Sequence, residues 1–190
     1  MPPESEAEKA SYLRPRDAAC LILVDRAGRS PRVLVGKRSS AHVFMPDVYV
    51  FPGGRRDPRD HALPFGADLD PRVIEKLRHS ASRAMTIAGA RALALAAVRE
   101  LHEETGLCFR SGYPQQGPDL SPLRYVARAI TPPGRIRRFD TRFFFCFTDE
   151  VGIDPAHIKN SDELQDLQWL DICDSSGVNM AAITRMVLED

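Results

Sequence analysis

The chain has 190 residues, 43% of them apolar, which suffices for one substantial core and is too short for two comfortable domains. Lysine plus arginine and aspartate plus glutamate balance at 26 each, so no global field draws the protein to nucleic acid or to an anionic membrane, and a small-molecule partner is expected. No run approaches the roughly 20 apolar residues of a spanning helix. The four cysteines, Cys20, Cys108, Cys146 and Cys173, have neither C-x-x-C nor finger spacing, which argues against a zinc site or a disulfide framework and for reduced core thiols.

Residues 1–15 mix both charges without an apolar stretch and read as a flexible N-terminus, with neither a secretory signal nor an anchor, ahead of a single domain over 16–190. A cytoplasmic protein is the expectation. "AACLILVD" at 18–25 is a β-prone apolar run, "DRAGRSPR" a turn, and "VLVGKRSS" a second strand beside the first. "VFMPDVYVFPGG" predicts a third strand halted by Gly53 and Gly54, whose lack of a side chain permits close approach of backbone to a ligand. Residues 55–71 read as loop, and Asp70 before Pro71 has the form of a helix cap, opening a helix over about 72–85. An Ala- and Leu-rich helix follows over about 90–105, with Gly106 where a C-terminal cap belongs. "LRYVARAIT", "FDTRFFFCFTDE" and "QDLQWLDI" predict further strands, and "NMAAITRMVLED" a last helix. The mixture implies an α/β (α+β) fold, a mixed sheet with helices packed on it.

The second helix ends in "RELHEETGL". At about 100° per residue, Glu100, Glu103 and Glu104 share one face, while Ala94, Val98 and Leu101 form an adjoining face suited to pack on the sheet. Carboxylates at a helix C-terminus repel one another and the dipole, so either the face is solvated or something positive compensates. Oxygen-rich clusters of this kind suit Mg²⁺ or Mn²⁺.

This stretch resembles the second half of the Nudix box, G-x5-E-x7-R-E-U-x-E-E-x-G-U, in Arg99, Glu100, Leu101, Glu103, Glu104, Gly106 and Leu107, and "FPGG" at 51–54 is similar to its opening. The resemblance spans about Ala18 to Asp171. It implies a Nudix fold, an α/β/α sandwich, and a metal-dependent diphosphatase acting on a nucleoside diphosphate linked to a further group. It also implies that Glu100, Glu103, Glu104 and the Gly53 carbonyl hold the metal, that Arg99 orients the cluster, and that Glu100 or a loop glutamate acts as base; Glu163, just ahead of the last strand, is the candidate for a further ligand or base, against Asp162 and an ordinary exposed loop acid. Residues 55–98 separate Gly54 from Arg99, about 31 more than the pattern allows. Counting back from Arg99 puts the pattern's first glutamate at Arg91, so that partner is missing in register, and Glu75 is the candidate replacement. The extra loop and helix at about 55–88 read as a lid or side wall, or else as a bulge or a homodimer contact. Insertion here, "FPGG" and "RFDTRFF" are similar to coenzyme A diphosphatases of the peroxisomal type, although the glycine and glutamine often found ahead of the FPGG strand are absent. Arg38 and Arg55 are candidates for phosphate contacts, and Phe139 and Arg142 for the remainder of the substrate, against solvated arginines and a core aromatic. His42 and His61 are given no role. A ligand-sensing domain without catalysis is the alternative.

Overall fold

The computed structural model of the protein describes residues 13–39, 47–81, 85–110 and 116–189. Residues 1–12 of the expected N-terminal segment, the start of the expected third strand at 43–46 and His42 lie outside these. In chain order the elements are β1 (Arg16–Asp25), β2 (Arg32–Arg38), β3 (Tyr49–Val50), β4 (Gly53–Arg55), α1 (Pro71–Ser80), α2 (Ile87–Thr105), β5 (Arg124–Ile130), β6 (Phe139–Phe147), β7 (Leu164–Asp171) and α3 (Ala182–Glu189). All seven strands join one mixed sheet, in the order β3-β2-β1-β6-β5, with β4 also on β1 and β7 on β2.

The sheet is built around β1, whose continuous apolar run suits a strand covered on both faces. It lies parallel to β6, Arg16 opposite Phe139 through Val24 opposite Phe147, and antiparallel to β2 at Val24 and Asp25. Alternation along β1 divides the core in two. Ala19, Leu21 and Leu23 point to the layer of α1 and α2, where they meet Leu77, Leu93, Leu101 and Phe144. Ile22 and Val24 point the other way, to Val33, Phe143 and Val187 of α3. The result is a sheet between two helical layers.

Three expectations change. Gly53 and Gly54 do not halt a strand; they pair with Cys20 and Ala19 of β1. A Cβ on Gly53 would stand 2.5 Å from the Ala19 carbonyl oxygen and 2.6 Å from Cys20 Sγ, so only glycine lets the strands close. α2 begins at Ile87, because the Thr86 side chain accepts the Gly89 amide, and α1 stops at Ser80. All four thiols are free, yet only Cys146 is buried and Cys20 half-buried; Cys108 and Cys173 are exposed beyond the ends of α2 and β7. The cap at Asp70 forms as the sequence predicts, accepting the Arg72 amide. Buried Leu69, Val73 and Leu77 tie α1 and its approach into the main core. No helix among the described residues is long and apolar enough to cross a membrane.

Candidate active site

The acidic cluster stands on the last turns of α2. Buried Ala94, Ala97, Val98 and Leu101 fix the rotation of that helix on the sheet, and Gly106, left-handed at φ 72°, ends it by returning its amide to the His102 carbonyl. β4 passes directly beneath. The Gly53 amide donates to Glu104 Oε2 at 2.8 Å, and Glu104 is only 7% exposed. A Cβ on Gly54 would stand 2.4 Å from Glu100 Oε1. The two glycines thus let two carboxylates rest against main chain.

Arg99 gathers the other acids. Its Nη1 donates to Glu100 Oε1 and to Glu103 Oε2, each at 2.9 Å, and Nη2 also reaches the Arg55 carbonyl at 3.2 Å. Its closest pairing is with a residue that the sequence reading missed. Nε donates to Asp60 Oδ1 at 2.7 Å and Nη2 to Asp60 Oδ2 at 3.1 Å, a two-pronged bond to a fully buried carboxylate. This pairing, ahead of the nearby glutamate charge, raises the Arg99 pKa above its ordinary value. Asp60 sits in a 3-10 turn, Pro58–Ala62, where Oδ2 also accepts the Asp57 amide at 2.7 Å in a capping box.

The place expected for the missing acid is therefore corrected. Arg91 pairs with Asp68, at 2.5 and 2.9 Å, and Glu75 is exposed on α1. Counting forward from Gly54 instead of back from Arg99, G-x5-acid ends on Asp60. The spacing held the signal, read from the other end.

Burial governs the titration of this cluster. Desolvation, followed by the charges of Glu100 and Glu163, pushes the Glu104 carboxyl up to about 8 against the pull of the Gly53 amide and Arg38. Glu100 is raised for the same first reason, with Arg99 opposing and Glu103 and Glu163 adding to it. Burial and the Glu104 charge lift the neighbouring Cys20 thiol to about 12. The structure accordingly brings Glu163 and Arg38 within electrostatic reach of the glutamates. Pairing of β7 with β2 does this, Leu164 opposite Arg38 and the Ser39 amide on the Glu163 carbonyl. Arg55 contributes its carbonyl, while its side chain is exposed. Phe139 lies at the start of β6, and Arg142 lines a different cavity with Asp17 and Asp140, so neither joins the glutamates.

Among the described residues no three His, Cys, Asp or Glu side chains already stand as a metal cage. Arg99 draws Glu100 and Glu103 toward itself, and Gly53 holds Glu104. The donor set nevertheless fits a hard divalent ion in kind. It is all oxygen, and it includes a buried carboxylate that has no ion pair of its own among the described residues.

No protein-family model matches the chain. In sequence it is 27% identical to "Putative nudix hydrolase 7" of Caenorhabditis elegans, over 82% of this chain and 51% of that protein, so it spans about half the length of this curated relative. In structure it resembles a Nudix hydrolase from Alicyclobacillus acidocaldarius, with a TM-score of 0.68 and 26% identity over 94% of this chain and 91% of that one. It also shares the fold of the Nudix domain of Shewanella oneidensis NrtR, solved with ADP ribose, with a TM-score of 0.56 and 13% identity over 98% and 96% of the two chains. The chain has the Nudix fold and is similar in sequence and structure to Nudix hydrolases.

Proposed function

We propose that the protein is a divalent-metal-dependent diphosphatase that cleaves a nucleoside diphosphate linked to a further group, coenzyme A or a derivative being the most concrete candidate. The observation that carries this reading is the seating of Glu104 on the Gly53 amide, buried, with its carboxyl pushed up to about 8 and with Glu100 and Glu163 close by. Such an arrangement is unfavourable in an idle protein and is relieved by a cation.

Glu104, Glu100 and Glu103 are the carboxylates that would hold Mg²⁺ or Mn²⁺, with the Gly53 carbonyl as a further oxygen. When bound, the ion supplies polarisation of a phosphoryl oxygen and lowers the pKa of a bound water. Arg99 keeps Glu100 and Glu103 on one side of the helix, and Asp60 keeps Arg99 in place. Glu163, or Glu100, accepts the proton of the attacking water. Arg38 and Arg55 are the candidates to steady phosphate oxygens, by charge and by forked geometry. The segment between Asp60 and Arg99 forms a side wall of the domain.

Hydrolysis of a panel containing coenzyme A, ADP-ribose, NADH, diadenosine polyphosphates and nucleoside triphosphates, with Mg²⁺ or Mn²⁺, tests the reading. At least one diphosphate is cleaved, and Glu103→Gln or Glu104→Gln lowers kcat/KM by roughly 100-fold. Cleavage of none, or mutants as active as the parent, refutes it; a ligand bound without turnover favours a sensing domain instead.

A further inference from the structure

The balance of 26 basic and 26 acidic residues is not kept locally. Where β1 begins, the chain just ahead of it lies beside the turn between β5 and β6: the Arg16 amide donates to the Arg138 carbonyl at 2.9 Å, and Arg138 Nη1 donates to the Leu13 carbonyl at 2.6 Å. Residues 13–16 carry two arginines and residues 131–138 three, with no carboxylate in either stretch. Asp17 and Asp140, which follow these stretches on β1 and β6, are engaged by Arg56, Arg128 and Arg142. Among the described residues Arg14, Arg16, Arg135 and Arg137 therefore face solvent without an ion pair.

The same end of the sheet is apolar at its outermost point. Pro132 and Pro133 stiffen the turn, and a Cβ on Gly134, left-handed at φ 83°, would meet no atom within 4 Å, so the tip stands clear of the domain. Ile136 lies on that tip between Arg135 and Arg137 and is 81% exposed, while Leu13 and Ile130 behind it are 43% and 45% exposed. A single apolar side chain in water is ordinary; three at one end of a sheet, set among unpaired guanidiniums, mark a surface that meets something. The order in depth is informative, with isoleucine foremost and the cations behind. Arginine stems are long enough to keep their heads in a polar layer while the isoleucine goes deeper.

We propose that this end of the sheet docks on an anionic phospholipid surface, with Ile136 entering the boundary between headgroups and acyl chains and Arg14, Arg16, Arg135 and Arg137 lying against lipid phosphates. Charge complementarity selects the occupant: four cations without partners match a field of negative headgroups, and the apolar tip matches the layer beneath them. Nucleic acid offers the first match but not the second, and among the described residues the aromatic ring at this end, Phe139, is half-buried and so presents no open platform for a base. None of the docking residues belongs to the acidic site. From Arg16 to Cys20, where Gly53 pairs, β1 runs roughly 13 Å, so docking does not use the groups proposed to hold the metal.

Co-sedimentation of the whole chain, in EDTA at low salt, with vesicles of phosphatidylcholine containing about 30% phosphatidylglycerol tests this without reference to catalysis. The chain binds these vesicles at least tenfold more tightly than vesicles of phosphatidylcholine alone, and raising the salt from about 0.05 to 0.3 M releases it. Reversing two charges together, Arg135→Glu with Arg137→Glu, weakens binding by at least tenfold. Ile136→Ser, which leaves every charge in place, weakens it by at least threefold. Arg29→Glu, an exposed arginine in the turn after β1 at the strand's other end, changes it by less than twofold. No binding to the anionic vesicles, binding indifferent to Ile136→Ser, or a loss as great in Arg29→Glu overturns the proposal, whether or not any diphosphate is hydrolysed. Duplex DNA bound as tightly as the vesicles, and equally well by Ile136→Ser, also overturns it and makes the surface a nucleic-acid face.

Discussion

Replacing Asp60 by Asn probes the joint between the two halves of the acidic site. The carboxylate is fully buried and accepts from Arg99 Nε, Arg99 Nη2 and the Asp57 amide. An asparagine keeps one acceptor oxygen but turns an NH₂ group toward the guanidinium or toward the turn. Removing one member of a buried ion pair costs about 3–5 kcal/mol, and the retained oxygen together with the part exposure of Arg99 reduces this to about 2–4 kcal/mol. For a chain of this size that corresponds to a fall in Tm of roughly 4–16 °C. Urea unfolding at pH 7 measures the free energy and calorimetry the midpoint. Glu75→Gln, on the exposed face of α1, is the matched control and stays within about 0.5 kcal/mol of the parent. Were Asp60→Asn as stable as the parent, or Glu75→Gln as damaging as Asp60→Asn, the assignment of Asp60 as the anchor of Arg99 would fail. A smaller loss of activity accompanies the loss of stability, about tenfold in kcat/KM, because Arg99 also positions Glu100 and Glu103.

Gly54→Ala places a Cβ 2.4 Å from Glu100 Oε1, so Glu100 must swing off the strand and leave Arg99; hydrolysis falls by roughly 100-fold for a stability cost of about 1–3 kcal/mol, and activity above half the parent's would contradict the close approach. Leu77→Ala on α1 opens a cavity at a fully buried position and costs about 2–5 kcal/mol in denaturant unfolding; a loss below about 1 kcal/mol would show that α1 is not docked in the core. The Glu104 carboxyl, held protonated to about 8 against an ordinary 4.5, makes the metal-free protein pH-sensitive. The unfolded chain releases this proton first, so the stability it confers is complete below about pH 4.5 and is lost as pH rises toward 8. Unfolding free energies from urea titrations in EDTA at pH 5 and pH 8.5 differ by on the order of 4 kcal/mol from this group, and Glu104→Gln flattens the slope; an unchanged slope in that variant would assign it elsewhere.

Local chemistry made much of this legible. The glycine after Thr105, the carboxylate face of "RELHEETGL" and the cap at Asp70 each depend on neighbours within a turn, and each forms as the sequence predicts. Contacts across long separations were harder. Nothing near Gly53 and Gly54 announces that they pair with β1, since glycine is a poor strand former and the reason for it, the approach of Cys20, lies more than thirty residues away. Arg142 stands on the α2 side of β6 by simple alternation, which the sequence implies, but only the docked helix shows that a cavity and not a glutamate lies above it.

The joint between Asp60 and Arg99 explains how the site tolerates so long an excursion of chain. Loop closure grows only as the logarithm of length, so lengthening the seven residues of the Nudix pattern to residues 61–98 costs about 1.5 kcal/mol in chain entropy. That is no more than the burial of a single large aliphatic side chain contributes, about 1.5–3 kcal/mol, and the excursion buries three, Leu69, Val73 and Leu77, before α2 begins. Its ends are held by the bond it spans, Asp60 on one side and Arg99 on the other. Extra chain at this point therefore enters the core while its two ends stay joined beside the glutamates. The proposed metal site stands at the negative end of α2, where a cation would offset the helix dipole as well as the carboxylates.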